Sequence, residues 1–167
     1  MNISILFVAS LPIVYMLHDF EEIIGMKPWA KSNEKYLYKK FPRLASKLVP
    51  HLKSTSTEGF ALCVAILFTI ISLVTISALY TGFYKIWMGI FMVFSIHIVV
   101  HIIQWIVFRK YIPAIITSLL CIPYCIFGII YINDTFALCD IFAYSILVLV
   151  VSIILLYLGH RYLAKLI

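Results

Sequence analysis

Five apolar runs dominate this chain: Ile3–Gly25, Glu58–Tyr80, Phe83–Phe108, Ile112–Ile132 and Phe136–Leu158. Each is about the length a helix needs to cross a bilayer. In hydrocarbon, a single segment can satisfy its own backbone polar groups only as a helix. The expected fold class is therefore all-α: a polytopic membrane bundle of five transmembrane helices. The runs leave no room in 167 residues for a second folded domain, so residues 1–167 are read as one integral membrane domain. A hydrophobic share of 64% against 12% charged residues excludes an ordinary soluble domain and a disordered chain. The first run has no basic start and no small-x-small cleavage site, so it is expected to stay as helix one rather than leave as a signal peptide.

Charge placement sets the expected topology. Of the thirteen Lys and Arg residues, eight lie between Lys27 and Lys53, Arg109 and Lys110 follow the third run, and Arg161 and Lys165 follow the fifth. Only Lys85 falls in a loop of the opposite parity, and the fourth loop carries Asp134 and Asp140 instead. By the positive-inside rule the amino terminus is outside and the carboxyl terminus cytoplasmic. The net charge of +6 then belongs to a membrane surface facing anionic headgroups, and no nucleic-acid partner is expected. Oligomeric state is not legible.

Residues 28–50 form the only sizeable polar stretch. Leu37, Phe41, Leu44 and Leu48 recur at three- and four-residue steps with lysines between them, which predicts amphipathic helix. Pro42 favours a new start and Pro50 an end. Two short interfacial helices broken near Phe41–Pro42 are expected, forming a hairpin on the cytoplasmic surface as a collar, a lid or a headgroup guide. Ser54 to Thr57 offer N-caps for the second span. Pro113 is expected in the first turn of the fourth span, and Pro123 in its middle. Cys63, Cys121 and Cys125 lie inside spans and read as small apolar fillers.

The first run also carries His18, Asp19, Glu21 and Glu22 in its last two turns. A charge at mid-bilayer costs about 2.5–3.5 kcal/mol on the lenient scale, so such residues usually face a bundle interior and act there. Helical spacing puts His18, Glu21 and Glu22 on one face, with Asp19 about 100° from His18. His97, His101 and Gln104 form a stripe on the third span, and His-x-x-x-His presents two imidazoles to one ion. Both spans run outside to inside by parity, so His18 and His101 fall at matching depth in the cytoplasmic half. Glu58 and His160 are expected at the same inner level as outer partners. Glu58 also suits a helix N-terminus as a dipole-favoured charge, and His160, like His51, suits the interface.

His18-Asp19-Phe20-Glu21-Glu22, His97-Ile-Val-Val-His101 and Arg109-Lys-Tyr-Ile-Pro113 together resemble the HXXEE-domain family of small bacterial membrane proteins. The resemblance covers most of the chain. It implies residence in a bacterial plasma membrane and an important site, and it supplies no substrate. Where the family often has Pro-Gly, this chain has Pro113-Ala114.

The leading expectation is a metal-dependent membrane hydrolase. His18, Glu22, His101 and His97 would hold a divalent ion, zinc first, with iron or manganese as alternatives. Glu21 would be the general base on the water, although sequence equally allows Glu21 and Glu22 to exchange roles. The substrate would be amphiphilic, a lipid or a membrane-anchored peptide. A metal-free alternative is similar to the glutamate-type CAAX proteases, but the arginine of their Glu-Glu-x-x-x-Arg pattern is Met26 here. A proton- or metal-ion-handling transport or regulatory protein is the alternative from another class.

Overall fold

The structure, a computed structural model, describes residues 5–162 apart from the side chains of residues 160 and 162. Six helices and no strands occur among the described residues: α1 (Ile5–Lys40), α2 (Pro42–Ser54), α3 (Thr57–Thr81), α4 (Lys85–Phe108), α5 (Ile115–Thr135) and α6 (Leu138–Tyr162). The fold class is all-α, and α3, α4, α5 and α6 are each long and apolar enough to cross a membrane.

Residues 28–50 correct the sequence expectation. Instead of a separate interfacial helix, residues 28–40 continue the helix of the first apolar run through Pro28, so α1 is one helix of 36 residues. Proline forfeits one intrahelical hydrogen bond, but anchors on both sides of it hold the helix. Gly25 meets Pro113, the Trp29 indole donates to the Tyr111 carbonyl at 2.7 Å, and the Tyr36 hydroxyl donates to the Phe108 carbonyl at 2.7 Å. The break falls at Phe41, as Pro42 foretold. Pro50 does not end α2, which runs on to Ser54. α2 lies back along α1 with Ala45 and Val49 buried beside Leu37, and Lys53 pairs with Glu34 at 2.8 Å.

Helix ends follow local chemistry. Ser56 caps α3 by accepting from the Gly59 amide, and Gly82 closes that helix in the left-handed region at φ 75°. Pro113 precedes α5 instead of lying in its first turn, because Ala114 also sits in the left-handed region, at φ 70°, and helical geometry starts only after it.

α1 runs parallel to α4 and antiparallel to α5. Down α1, Phe7 meets Trp87, Tyr15 meets Phe94 and Trp29 meets Phe108. Against α5, Ser10 meets Tyr124, Glu21 meets Thr117 and Gly25 meets Pro113. The parallel register with α4 brings residues of equal depth together. Aromatic rings fill the space between these two helices at one end, and Trp87 adds a hydrogen bond to the Val8 carbonyl at 3.3 Å. On the other side of α4, Gly89 lets α6 approach so closely that a Cβ there would stand 2.6 Å from the Tyr144 carbonyl.

Candidate metal centre

Where α1 passes α4, imidazoles take over from the aromatic rings. His18 is fully buried and His101 is 4% exposed, while His97 is half-buried. Ring centroids lie 5.1 Å apart for His18–His97, 5.2 Å for His18–His101 and 4.4 Å for His97–His101. One nitrogen from each of the three rings lies within 4.8 Å of the others, a spacing that suits a common ion. The Nε2 atoms of His97 and His101 are 3.0 Å apart. Two nitrogens bound at about 2.0–2.1 Å to one tetrahedral ion stand roughly 3.3 Å apart, so these rings need to move only a few tenths of an ångström.

The tautomer of His18 follows from its neighbours. Thr117 has one hydroxyl proton, and its closest acceptor is the Glu21 carboxylate, 2.7 Å away. A charged acceptor at that distance takes the proton in preference to a carbonyl. The Thr117 oxygen is then left to accept from His18 Nδ1, 3.2 Å away. With the proton on Nδ1, Nε2 carries the lone pair. That atom is buried and has no hydrogen-bond partner, and neither does His101 Nδ1. Buried polar atoms rarely stay unpaired without a reason such as a ligand. The three imidazoles and the orphaned Nε2 of His18 thus fit a borderline divalent cation.

Glu21 is placed elsewhere than a base needs to be. One carboxylate oxygen accepts from the Thr117 amide at 2.8 Å and from its hydroxyl, the other from the Tyr111 hydroxyl at 2.9 Å and the Ile116 amide at 3.4 Å. Ala114, the N-cap residue of α5, has no side chain able to accept a hydrogen bond. Glu21 supplies that acceptor from α1, and its charge also opposes the positive end of the α5 dipole. Partial desolvation and the Glu21 hydrogen bond push the Tyr111 phenol up to about 12, so it remains a donor at neutral pH.

Asp19 and Glu22 also lie close to His97. Oxygens of both carboxylates and a nitrogen of His97 lie within 4.8 Å of one another. Asp19 is only 4% exposed, and the Tyr15 hydroxyl is its hydrogen-bonding neighbour. Helical spacing from His18 hid Asp19. On the α1 wheel it lies only about 60° from Glu22, and an i, i+3 step beside an acid was the signal that could have found it. Glu22 also borders a cavity of about 160 Å³ between α1, α2 and α3, whose walls include Met26, Lys27, His51, Ser56 and Phe60.

The structure therefore brings His18, His97 and His101 together and sets Glu22 beside His97 with Asp19, while Glu21 reaches the ring of His18 only through Thr117. Gln104 is exposed and approaches His101 without closing a hydrogen bond to its Nδ1. Glu58 is exposed in the first turn of α3. The side chain of His160 lies outside the described residues.

A family model described as "Protein of unknown function with HXXEE motif" matches residues 9–128, which span α1 to the middle of α5. No curated protein and no solved structure matches the chain.

Proposed function

This chain belongs to the HXXEE family, and we propose that it is a membrane-embedded metal-dependent hydrolase that acts on an amphiphilic substrate, a lipid or a membrane-anchored peptide, from the cytoplasmic leaflet. The observation that carries this reading is the buried, unpartnered Nε2 of His18, in a ring packed against the imidazoles of His97 and His101. Zinc suits three imidazoles best, with iron or manganese as alternatives. Such an ion supplies a Lewis acid and lowers the pKa of a water toward neutrality.

The chain's own residues supply the rest. Thr117 and Glu21 hold the His18 ring in one tautomer, as carboxylates behind metal-bound histidines commonly do. Glu22 is the carboxylate bordering the cavity, so it takes the proton of the attacking water, and Glu21 acts as a positioning residue. The cavity admits water and the polar part of the substrate, while its apolar wall at Met26 and Phe60 receives the start of a chain.

In the membrane, the first half of α1 makes a fifth span beside the four apolar helices. The amino terminus then lies outside, the carboxyl terminus lies in the cytoplasm, and the Lys27–Lys53 segment rests on anionic headgroups of a bacterial plasma membrane.

Metal analysis of detergent-purified protein tests the reading. Stoichiometric zinc, iron or manganese should be retained by the wild type and lost by His18→Ala and His101→Ala. Folded protein that holds no metal under any loading condition would overturn it in favour of a metal-free glutamate hydrolase or a transporter, which ion flux in sealed vesicles would separate.

A further inference from the structure

His97 belongs to two ligand sets at once. The first consists of imidazoles, with His18 and His101. The second joins His97 to Asp19 and Glu22. We propose that the second set is a cation subsite of its own, so that the site holds two divalent ions, a nitrogen-bound one on His18 and His101 and an oxygen-bound one on Asp19 and Glu22, with His97 between them ligating one or the other, since a neutral imidazole has a single lone pair to give. The inference rests on the metallohydrolase reading and deepens it.

Charge compensation favours a second ion. Asp19 is buried and Glu22 half-buried, and neither is ion-paired; the ion pairs among the described residues are Lys53–Glu34 and Lys85–Asp140. Two neighbouring carboxylates withdrawn from water repel each other and lose hydration. A divalent cation between them removes both costs.

The surroundings of the two sets differ in the same sense. The imidazole set is closed in: His18 and His101 are buried, and each leaves one nitrogen unpartnered. The carboxylate set opens through Glu22 onto the cavity of about 160 Å³. Two carboxylates and one imidazole are too few ligands for an octahedral ion, which completes its shell with waters. The cavity provides room for those waters and a path for the ion. Donor chemistry then sorts the metals. Borderline zinc prefers the imidazoles, whereas manganese or magnesium prefers carboxylate and water.

An oxygen-bound ion there would polarise the oxygens of a bound headgroup. That suits an ester or phosphoester whose charged or polar head enters from the cavity. Glu22 need not give up its proton-accepting role, because a carboxylate has two oxygens and about four lone-pair sites.

The test uses full-length protein in detergent, stripped with a chelator, given one equivalent of Zn²⁺ and then titrated with Mn²⁺. The readouts are metal content by mass spectrometry and loss of the free Mn²⁺ paramagnetic resonance signal. One further equivalent of Mn²⁺ should bind. Asp19→Asn and Glu22→Gln should each weaken that second step at least tenfold while retaining the zinc, and Glu34→Gln should change neither. A single ion per wild-type chain at saturating metal would overturn the second subsite and leave the first intact. Unchanged Mn²⁺ binding in both Asp19→Asn and Glu22→Gln would overturn the second subsite as well. No zinc at all would overturn both readings. Because the wild-type count decides by itself, a variant that fails to fold does not rescue the proposal.

Discussion

Glu21 and Glu22 are adjacent on α1 and end in opposite circumstances. Glu21 points to α5 and accepts four hydrogen bonds there, three of them at 2.9 Å or less. Glu22 lies near His97 and a second carboxylate, borders a cavity, and has no ion pair among the described residues. Around Glu21 the carboxylate and its donors satisfy one another, so the contact is complete as it stands. On the α4 side, among the described residues, His18 Nε2 and His101 Nδ1 have no hydrogen-bond partner, and Asp19 and Glu22 have no ion pair. Neighbouring ionisable residues within one bundle thus differ in how far the fold satisfies them, and the proposed metal site lies where it does not. The bridge between the two sides is Thr117, which ties the satisfied carboxylate to the unsatisfied imidazole.

The largest effect should come from removing a nitrogen on the α4 side. His18→Ala and His101→Ala should each abolish tight metal binding, measured as retained metal per chain after dialysis, with the helical circular dichroism unchanged. On the α5 side, Glu21→Ala leaves two amides and two hydroxyls without their charged acceptor. It should cost about 3 kcal/mol in stability, a few hydrogen bonds to a charged group with partial recovery by water, read as a lower midpoint in denaturant or heat.

Thr117→Val tests the bridge. It keeps shape but frees the His18 tautomer, and metal affinity should fall about 10–100-fold, as expected for a lost outer partner of a metal ligand, with a loss of thermal stability no greater than that of losing one hydrogen bond to Glu21, about 1 kcal/mol. Equal losses of stability and affinity would instead make Thr117 a simple packing residue. Tyr111→Phe deletes one bond to Glu21 and should cost about 1 kcal/mol, with metal content unaffected. The smallest change is a gain: Ala114→Gly relieves a left-handed residue at φ 70° and should stabilise by about 1 kcal/mol, visible as a raised unfolding midpoint. If that variant is neutral, the start of α5 is held by Glu21 strongly enough to hide the strain.

Much of the architecture was readable from residue order. Apolar runs placed α3 to α6 to within a few residues, because a bilayer-length run has no alternative to helix. The His-x-x-x-His spacing and charge parity predicted that His18 would meet His97 and His101, since parallel helices pair residues of like depth. The limits were equally physical. The change from apolar to polar residues separated the first span from an interfacial helix starting at residue 28, whereas tertiary anchors at Gly25, Trp29 and Tyr36 hold α1 continuous. Helical angles measured from His18 excluded Asp19, because they do not say in which direction the neighbouring helix lies.

What the linear chain determined by itself was the inventory: bilayer-length helices, their polarity, and a set of imidazoles and carboxylates confined to one depth, all properties of spacing along one strand of covalent bonds. Which carboxylate serves as a helix cap and which is left beside an imidazole was decided only in three dimensions. That choice depends on where Ala114, unable to cap α5, comes to rest against α1, a relation between residues 93 positions apart in the chain that no local period encodes.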